Sequence, residues 1–190
     1  MPPISLNRER LIEALNRLGS RSAERQIVLE VVLYGGAAMI LAYSNRDVTK
    51  DVDAILKPAE SGREIAAEVA TDLGLDPGWL DEGIRKFLST DGTFAPLVIE
   101  ELEQAAQRHL KISRASASYL LAMKCRACRP QLPGWPGDLA DIEFLLRKMG
   151  ITTLAQVDEY IGRFYPGDAL DARASELVGD ILKRLQAERQ

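Results

Sequence analysis

The feature that most constrains this chain is an apolar run that breaks at a glycine pair. Val28 to Tyr34 is mostly apolar and rich in β-branched valine, Gly35-Gly36 interrupts it, and Ala37 to Tyr43 continues in small and apolar residues. A run of this kind bounded by glycine predicts a buried strand, and the small residues after it predict a tightly packed helix. Fifteen residues beyond Gly36 comes Asp51-Val52-Asp53, inside a second predicted strand from Lys50 to Leu56 that Lys57-Pro58 closes. Residues two apart on a strand face the same way, so both carboxylates project together while Val52 and Ala54 point into a core.

A strand that feeds a helix through glycines exposes backbone N–H groups at the helix start. Those groups and the helix dipole favour a phosphate, and the missing side chains permit its close approach. A simple packing turn has the same local sequence. Two like charges side by side on a strand are unfavourable unless a cation compensates them, and Mg²⁺ prefers carboxylate and phosphate oxygens. For the acids alone the competing account is a solvated strand edge with Asp51 as a turn residue after Thr49-Lys50. Glycine pair and acid pair together predict a nucleotide and Mg²⁺ site: Gly35 and Gly36 on phosphate, Asp51 and Asp53 on metal.

The remainder reads as support. Leu6 to Gly19 predicts a helix with Leu11, Leu15 and Leu18 on one face, stopped by Gly19, with Ser20 to Glu24 starting a second. Glu60 to Leu73 predicts a helix ended by Gly74, Asp76-Pro77-Gly78 a turn, and Trp79 the start of a short helix. Pro96 to Leu102 predicts an edge strand or an irregular segment, and His109 to Ser113 a strand. From Ala115 onward the pattern is helical: Ala115–Cys128, then a Pro130–Gly137 loop, then Asp138–Met149, Leu154–Phe164 and Leu170–Ala187. The expected fold class is α+β (α/β), a small mixed sheet flanked by helices in residues 1–114 and a helical lobe packed on it in 115–190.

Two groups in the helical part invite a chemical reading. Leu120, Leu121, Lys124 and Cys128 share a helix face, and a lysine in an apolar stripe needs an acid partner, an anion or a route for its head to water. Asp138 and Asp141 lie three apart at a helix start. Asp138 there reads equally as a helix cap, whereas Asp141, beside Ile142 and Leu145, borders the buried face and is placed to act as a base or to pair with Lys124. Arg126 and Arg129 with Lys124 form either a basic strip for RNA phosphates or a solvated face. Trp79 and Trp135 read as packing residues and His109 as a strand residue without a partner acid. Cys125 and Cys128 read as two small buried residues, because the chain has one His and no second cysteine pair for a four-ligand zinc site. A net charge of −4 argues against a surface wholly devoted to nucleic acid but leaves room for a local basic patch. Without a signal peptide or an apolar run near the ~20 residues of a membrane helix, the expected location is the cytoplasm, with no membrane partner.

Leu33-Tyr34-Gly35-Gly36-Ala37 with Thr49-Lys50-Asp51-Val52-Asp53 resembles the nucleotidyltransferase superfamily of the DNA polymerase beta type. Met123-Lys124, Asp138-Leu139-Ala140-Asp141-Ile142 and Trp79-Leu80 resemble its abortive-infection and toxin–antitoxin branch. The likeness spans roughly residues 31–150. It implies an NTP as substrate, Mg²⁺ held by Asp51 and Asp53, catalytic roles for Asp51, Asp53, Lys124 and Asp141, and nucleotide contacts from Gly35, Gly36, Lys124 and Asp138. It further implies an acceptor that is tRNA or a protein, and a toxin with an antitoxin partner. The pattern departs from other members in three ways. Gly36 offers backbone where a Gly-Ser member offers a hydroxyl, the gap from Gly36 to Asp51 is long, and His109 to Ser113 lacks the third carboxylate many members carry. Glu100 or Glu101 would replace that carboxylate only if Pro96–Leu102 were the neighbouring strand. Without it, the same residues also suit a protein that binds nucleotide or an antitoxin without turnover. A helical interaction module with an incidental Asp pair is the remaining reading.

Overall fold

Strand and helix alternate through the first half of the chain, and the sheet they form is mixed. The structure is a computed structural model that describes residues 5–131 and 137–189. Its described residues form two compact units. The first holds the residues up to Lys86 together with Phe94–Ala115, and the second holds Phe87–Thr93 and the residues from Ser116 onward.

In the first unit β1 (Leu6–Asn7) leads into α1 (Arg8–Glu24), then β2 (Leu29–Leu33), α2 (Gly35–Tyr43), β3 (Val48–Thr49), β4 (Val52–Lys57), α3 (Ala59–Leu73), β5 (Leu80–Asp81), β6 (Phe94–Pro96), α4 (Gln104–His109) and β7 (Leu110–Ala115). Five strands form one sheet in the order β5-β4-β2-β7-β6, and β1 pairs with β3 in a separate ribbon. Central β2 runs antiparallel to β4, with Leu33 opposite Ala54, and parallel to β7, with Val32 opposite Ser113. One face carries Leu29, Val31, Leu33, Ala54, Leu56, Leu110 and Ile112, all buried. Helices cover it: Gly62 of α3 comes so close that an added Cβ would lie 2.8 Å from the Leu56 side chain. The opposite face shows Glu30, Lys57, Lys111 and Phe94 exposed, with Val32, Asp53 and Ser113 half-buried. The expected mixed sheet with flanking helices is therefore present, and its two faces are chemically distinct.

Several local expectations are corrected. Gly19 does not stop α1, which continues to Glu24; Gly19 is buried, and a Cβ there would lie 2.4 Å from the Ala106 Cα. It is a contact point for α4, which the sequence pattern did not reveal. Trp79 does not open a helix. Its carbonyl accepts from Val52 N at 2.6 Å, beside the β4–β5 pairing, and its indole N–H donates to Ala66 O at 2.9 Å in a buried site. His109 ends α4 rather than starting a strand, and its Nδ1 lies 2.9 Å from Ile27 O. The edge strand β6 closes at Pro96 instead of starting there; Leu97 N still donates to Ile112 O at 3.0 Å, and the chain is irregular from there to Leu102. The predicted Lys50 to Leu56 strand begins two residues later, as β4, so Asp51 lies at a bend just before it.

The second unit contains α5 (Ala117–Ala127), α6 (Leu139–Met149), α7 (Leu154–Phe164) and α8 (Ala172–Ala187). Ser116, Thr153 and Asp171 cap the starts of α5, α7 and α8, and Gly150 at φ 67° ends α6. Its core joins Tyr119, Leu120, Ile142, Leu145, Val157, Ile161, Val178 and Leu182. Trp135, and most of the predicted Pro130–Gly137 loop, lie outside the described residues. Among the described residues no helix is long and apolar enough to cross a membrane.

Candidate functional site

The first unit brings the glycine pair to Asp53. After Leu33 the chain turns through Tyr34, whose N–H donates to Asp53 O at 2.9 Å, so the β2–β4 pairing extends one step to the glycines. Gly35 sits at φ 53°, a left-handed conformation that disfavours other residues. A Cβ at Gly35 would lie 2.1 Å from Asp53 Oδ2. The carboxylate therefore rests directly against the backbone at the start of α2. Tyr34 occupies the N-cap position of α2 without a side-chain cap bond, and no acid lies in the first turn. The first amides of a helix precede its own hydrogen-bond ladder and carry its positive dipole end.

Two residues not foreseen from the sequence complete this corner. Ser44 closes α2 in a left-handed conformation at φ 51°, which turns the chain back along the helix. The return segment brings Thr49 Oγ1 to 2.4 Å and Arg46 Cζ to 3.6 Å from where a Gly36 Cβ would be. Arg46 Nε donates to Val48 O at 3.0 Å, and Thr49 Oγ1 donates to Asp51 O at 3.1 Å, so both side chains also shape the loop that presents Asp51. Gly36 thus lacks a hydroxyl of its own, but the neighbouring Thr49 supplies one beside it. Asp51, Val52, Asp53 and Ala54 alternate half-buried, buried, half-buried, buried, with Asp51 at the bend that leads into β4.

The Asp53 carboxylate, helix-start amides, the Thr49 hydroxyl and the Arg46 guanidinium meet here, and Asp51 precedes β4 on the segment that Thr49 holds. Carboxylates repel an anion unless a divalent cation lies between them. Oxygen donors in this number suit Mg²⁺, which takes one or two carboxylates and completes its octahedron with waters and phosphate oxygens. Among the described residues no group of three or more His, Cys, Asp and Glu forms an all-protein metal cage. The strand level with this corner offers no third acid: β7 places Ser113 beside Val32, and neither β6 nor β7 carries a carboxylate. Glu101 does not fill that place, since it lies beyond β6 and pairs with Arg8 at 2.7 Å; Glu100 lies beyond β6 as well.

The second unit gathers Lys124, Asp138 and Asp141. Lys124 Nζ lies 3.0 Å from Asp138 Oδ1 and 2.8 Å from Asp141 Oδ2, and the residues are 5%, 1% and 2% exposed. Arg129 Nε adds a bond to Asp138 Oδ2 at 2.8 Å, and the backbone N–H of Arg129 reaches the same oxygen at 3.2 Å. Asp138 stands at the N-cap position of α6 but makes no side-chain cap bond there; its carboxylate turns to these cations instead. Burial raises the Asp138 pKa, and the charges and hydrogen bonds of Lys124 and Arg129 outweigh it, holding the group below its usual range. The lysine in the apolar stripe is thus met by two acids. The basic strip dissolves in the same way: Arg126 pairs with Asp168 and lies over the Tyr165 ring at 4.6 Å, while Arg129 holds Asp138. Burial, then neighbouring Cys128 and Asp138, pushes the Cys125 thiol far up, and burial raises Cys128 too. Both stay protonated at neutral pH, which suits packing residues.

No protein-family model, curated protein or solved structure matches this chain. The functional reading therefore rests on the residues and their geometry, and on the resemblance of the motifs.

Proposed function

We propose that this chain is a Mg²⁺-dependent nucleotidyltransferase of the DNA polymerase beta type. In this reading it transfers a nucleoside monophosphate from an NTP to a hydroxyl of RNA, such as tRNA, or of a protein, in the cytoplasm. The single observation that supports it most is the Asp53 carboxylate lying against Gly35 at the start of α2. That contact puts a carboxylate and the backbone of a helix start within one ligand's reach. The role of toxin, with an antitoxin as partner, rests on the motif resemblance.

The amides of Gly35 and Gly36 and the α2 dipole hold the outer phosphates. Thr49 and Arg46 flank them with a donor and a positive charge. Asp51 and Asp53 would hold Mg²⁺, which when bound neutralises phosphate charge and aligns the α-phosphorus. The acceptor oxygen forms a bond to that phosphorus in line with the bond that breaks, and pyrophosphate leaves with the electron pair. Positioning and charge stabilisation supply most of the acceleration. The proton of the acceptor hydroxyl leaves to water, and Lys124 and Asp141, paired with each other in the second unit, stabilise that unit.

The test is a labelled-NTP transfer screen over all four nucleotides, with total RNA and total protein as acceptors. Asp51→Asn and Asp53→Asn should each lower Mg²⁺-dependent transfer by about 100-fold or more. Undiminished transfer in both would sink the mechanism. The position of Ser113 on β7, where a third acid would complete the set, favours a second reading in which nucleotide binds without turnover. Saturable Mg²⁺–NTP binding with no transfer to any acceptor would select it.

A further inference from the structure

The face of the sheet that carries Asp53 also carries an aromatic residue that the proposed chemistry has not used. Asp53 and Ile55 lie on one side of β4, Ile55 pairs with Val32, Val32 with Ser113, and Ala115, two residues on, with Phe94. Opposed residues in paired strands share a face, so Phe94 stands on the same face as Asp53. Its ring lies 6.0 Å from the Tyr34 ring at an interplanar angle of 86°. Tyr34 is the residue immediately before Gly35, so the aromatic pair adjoins the glycine corner. Tyr34 is 2% exposed, whereas Phe94 is 49% exposed. Among the described residues of the first unit, the other large exposed hydrophobics are Val28, Val48 and Val98; Phe94 alone is aromatic.

We propose that Phe94, braced edge-to-face by Tyr34, is the platform on which the nucleobase of the bound NTP stacks. The inference rests on the site reading above and names the base subsite for it. A T-shaped partner holds the ring in one orientation, which lowers the ordering cost of stacking a ligand on it. Every base presents a π-face, so an aromatic platform tolerates all four bases and favours the larger purines. Selection among the four nucleotides by hydrogen bonding is not part of its role.

The decisive experiment compares Mg²⁺-dependent binding of inorganic triphosphate, ATP and UTP by calorimetry. It uses the wild-type full chain, Phe94→Ala, Phe94→Tyr and Asp53→Asn, with thermal midpoints to verify folding. Phe94→Ala should bind ATP about ten-fold more weakly, UTP with a smaller loss, and triphosphate as the wild type does. Phe94→Tyr should bind all three normally, and Asp53→Asn should weaken all three. ATP affinity unchanged in Phe94→Ala, with triphosphate still bound, would overturn the platform and leave the site reading standing. Equal weakening of triphosphate and ATP in Phe94→Ala would mean a structural role and overturn it as well. A wild type that binds no triphosphate would remove the site reading, and the platform with it.

Discussion

Gly35 combines a positive φ with a carboxylate at its back. Gly35→Ala should cost about 1–2 kcal/mol for the left-handed backbone and about 1–3 kcal/mol more for the forced shift of Asp53. Gly74 and Gly150 also have positive φ, but an added Cβ meets nothing within 4 Å at either. Gly74→Ala and Gly150→Ala should therefore cost only the backbone part. Denaturant midpoints of the three variants check the contrast, and equal losses would deny the close contact. Lys124 poses a different residue-scale problem. Lys124→Met leaves Asp138 and Asp141 buried with one cation fewer, and breaking such a pair costs about 3–5 kcal/mol. Lys124→Met with Asp141→Asn should recover part of that loss. Asp138 adds a pH dependence with a definite sign. Its folded pKa is depressed, so its stabilisation is fully present above the unfolded value of about 4 and is lost as pH falls through the lower folded value. The gap in thermal midpoint between wild type and Asp138→Asn should be widest near neutrality and should close in acid; a gap constant with pH would contradict the charged pairing.

Among the elements, α1 shows how tertiary contact overrides local signals. Gly19→Ala gains about 1 kcal/mol of helix propensity. The added methyl nevertheless falls 2.4 Å from backbone of α4, where overpacking costs about 1–3 kcal/mol. Net destabilisation is the expected result, read from the thermal midpoint. Local pattern alone makes Gly19 a helix stop, because the partner at Ala106 is 87 residues away and leaves no mark at Gly19 itself. The elements that were legible carry local signals: β2 a bounding glycine, α2 small apolar residues after the glycine pair, α3 a terminating glycine, and α5 and α7 apolar residues at helical spacing. Those that were not, β1, β3 and α4, are short and depend on partners distant in sequence. The site divides along the same line. The strand–glycine–helix junction and the place of Asp53 on β4 are local, and both could be read directly, whereas Asp51 falls at a bend before the strand. Arg46 and Thr49 reach Gly36 only because Ser44 takes a left-handed conformation and reverses the chain, which a polar turn sequence does not specify. The pairing of Lys124 with Asp141 was one of the readings the helix faces allowed, whereas the Arg129 clasp on Asp138 was not anticipated.

At the scale of the whole molecule, two units carry two charged groups of opposite character. The first holds half-buried acids beside a helix start, the set proposed to take a cation. The second holds buried acids already matched by Lys124 and Arg129. This difference makes the first group the centre of the functional account and gives the second a stabilising part independent of any ligand. The chain's cysteines follow the same division: raised thiol pKa values and burial predict slow labelling by thiol reagents in the native state and fast labelling in denaturant. The most direct test is calorimetric titration of NTP into the wild-type chain and into the Asp51→Asn, Asp53→Asn double variant, with and without Mg²⁺. The prediction is saturable binding in the wild type that requires Mg²⁺ and disappears in the double variant. Equal binding by both proteins, or none by the wild type with any of the four nucleotides, would contradict it.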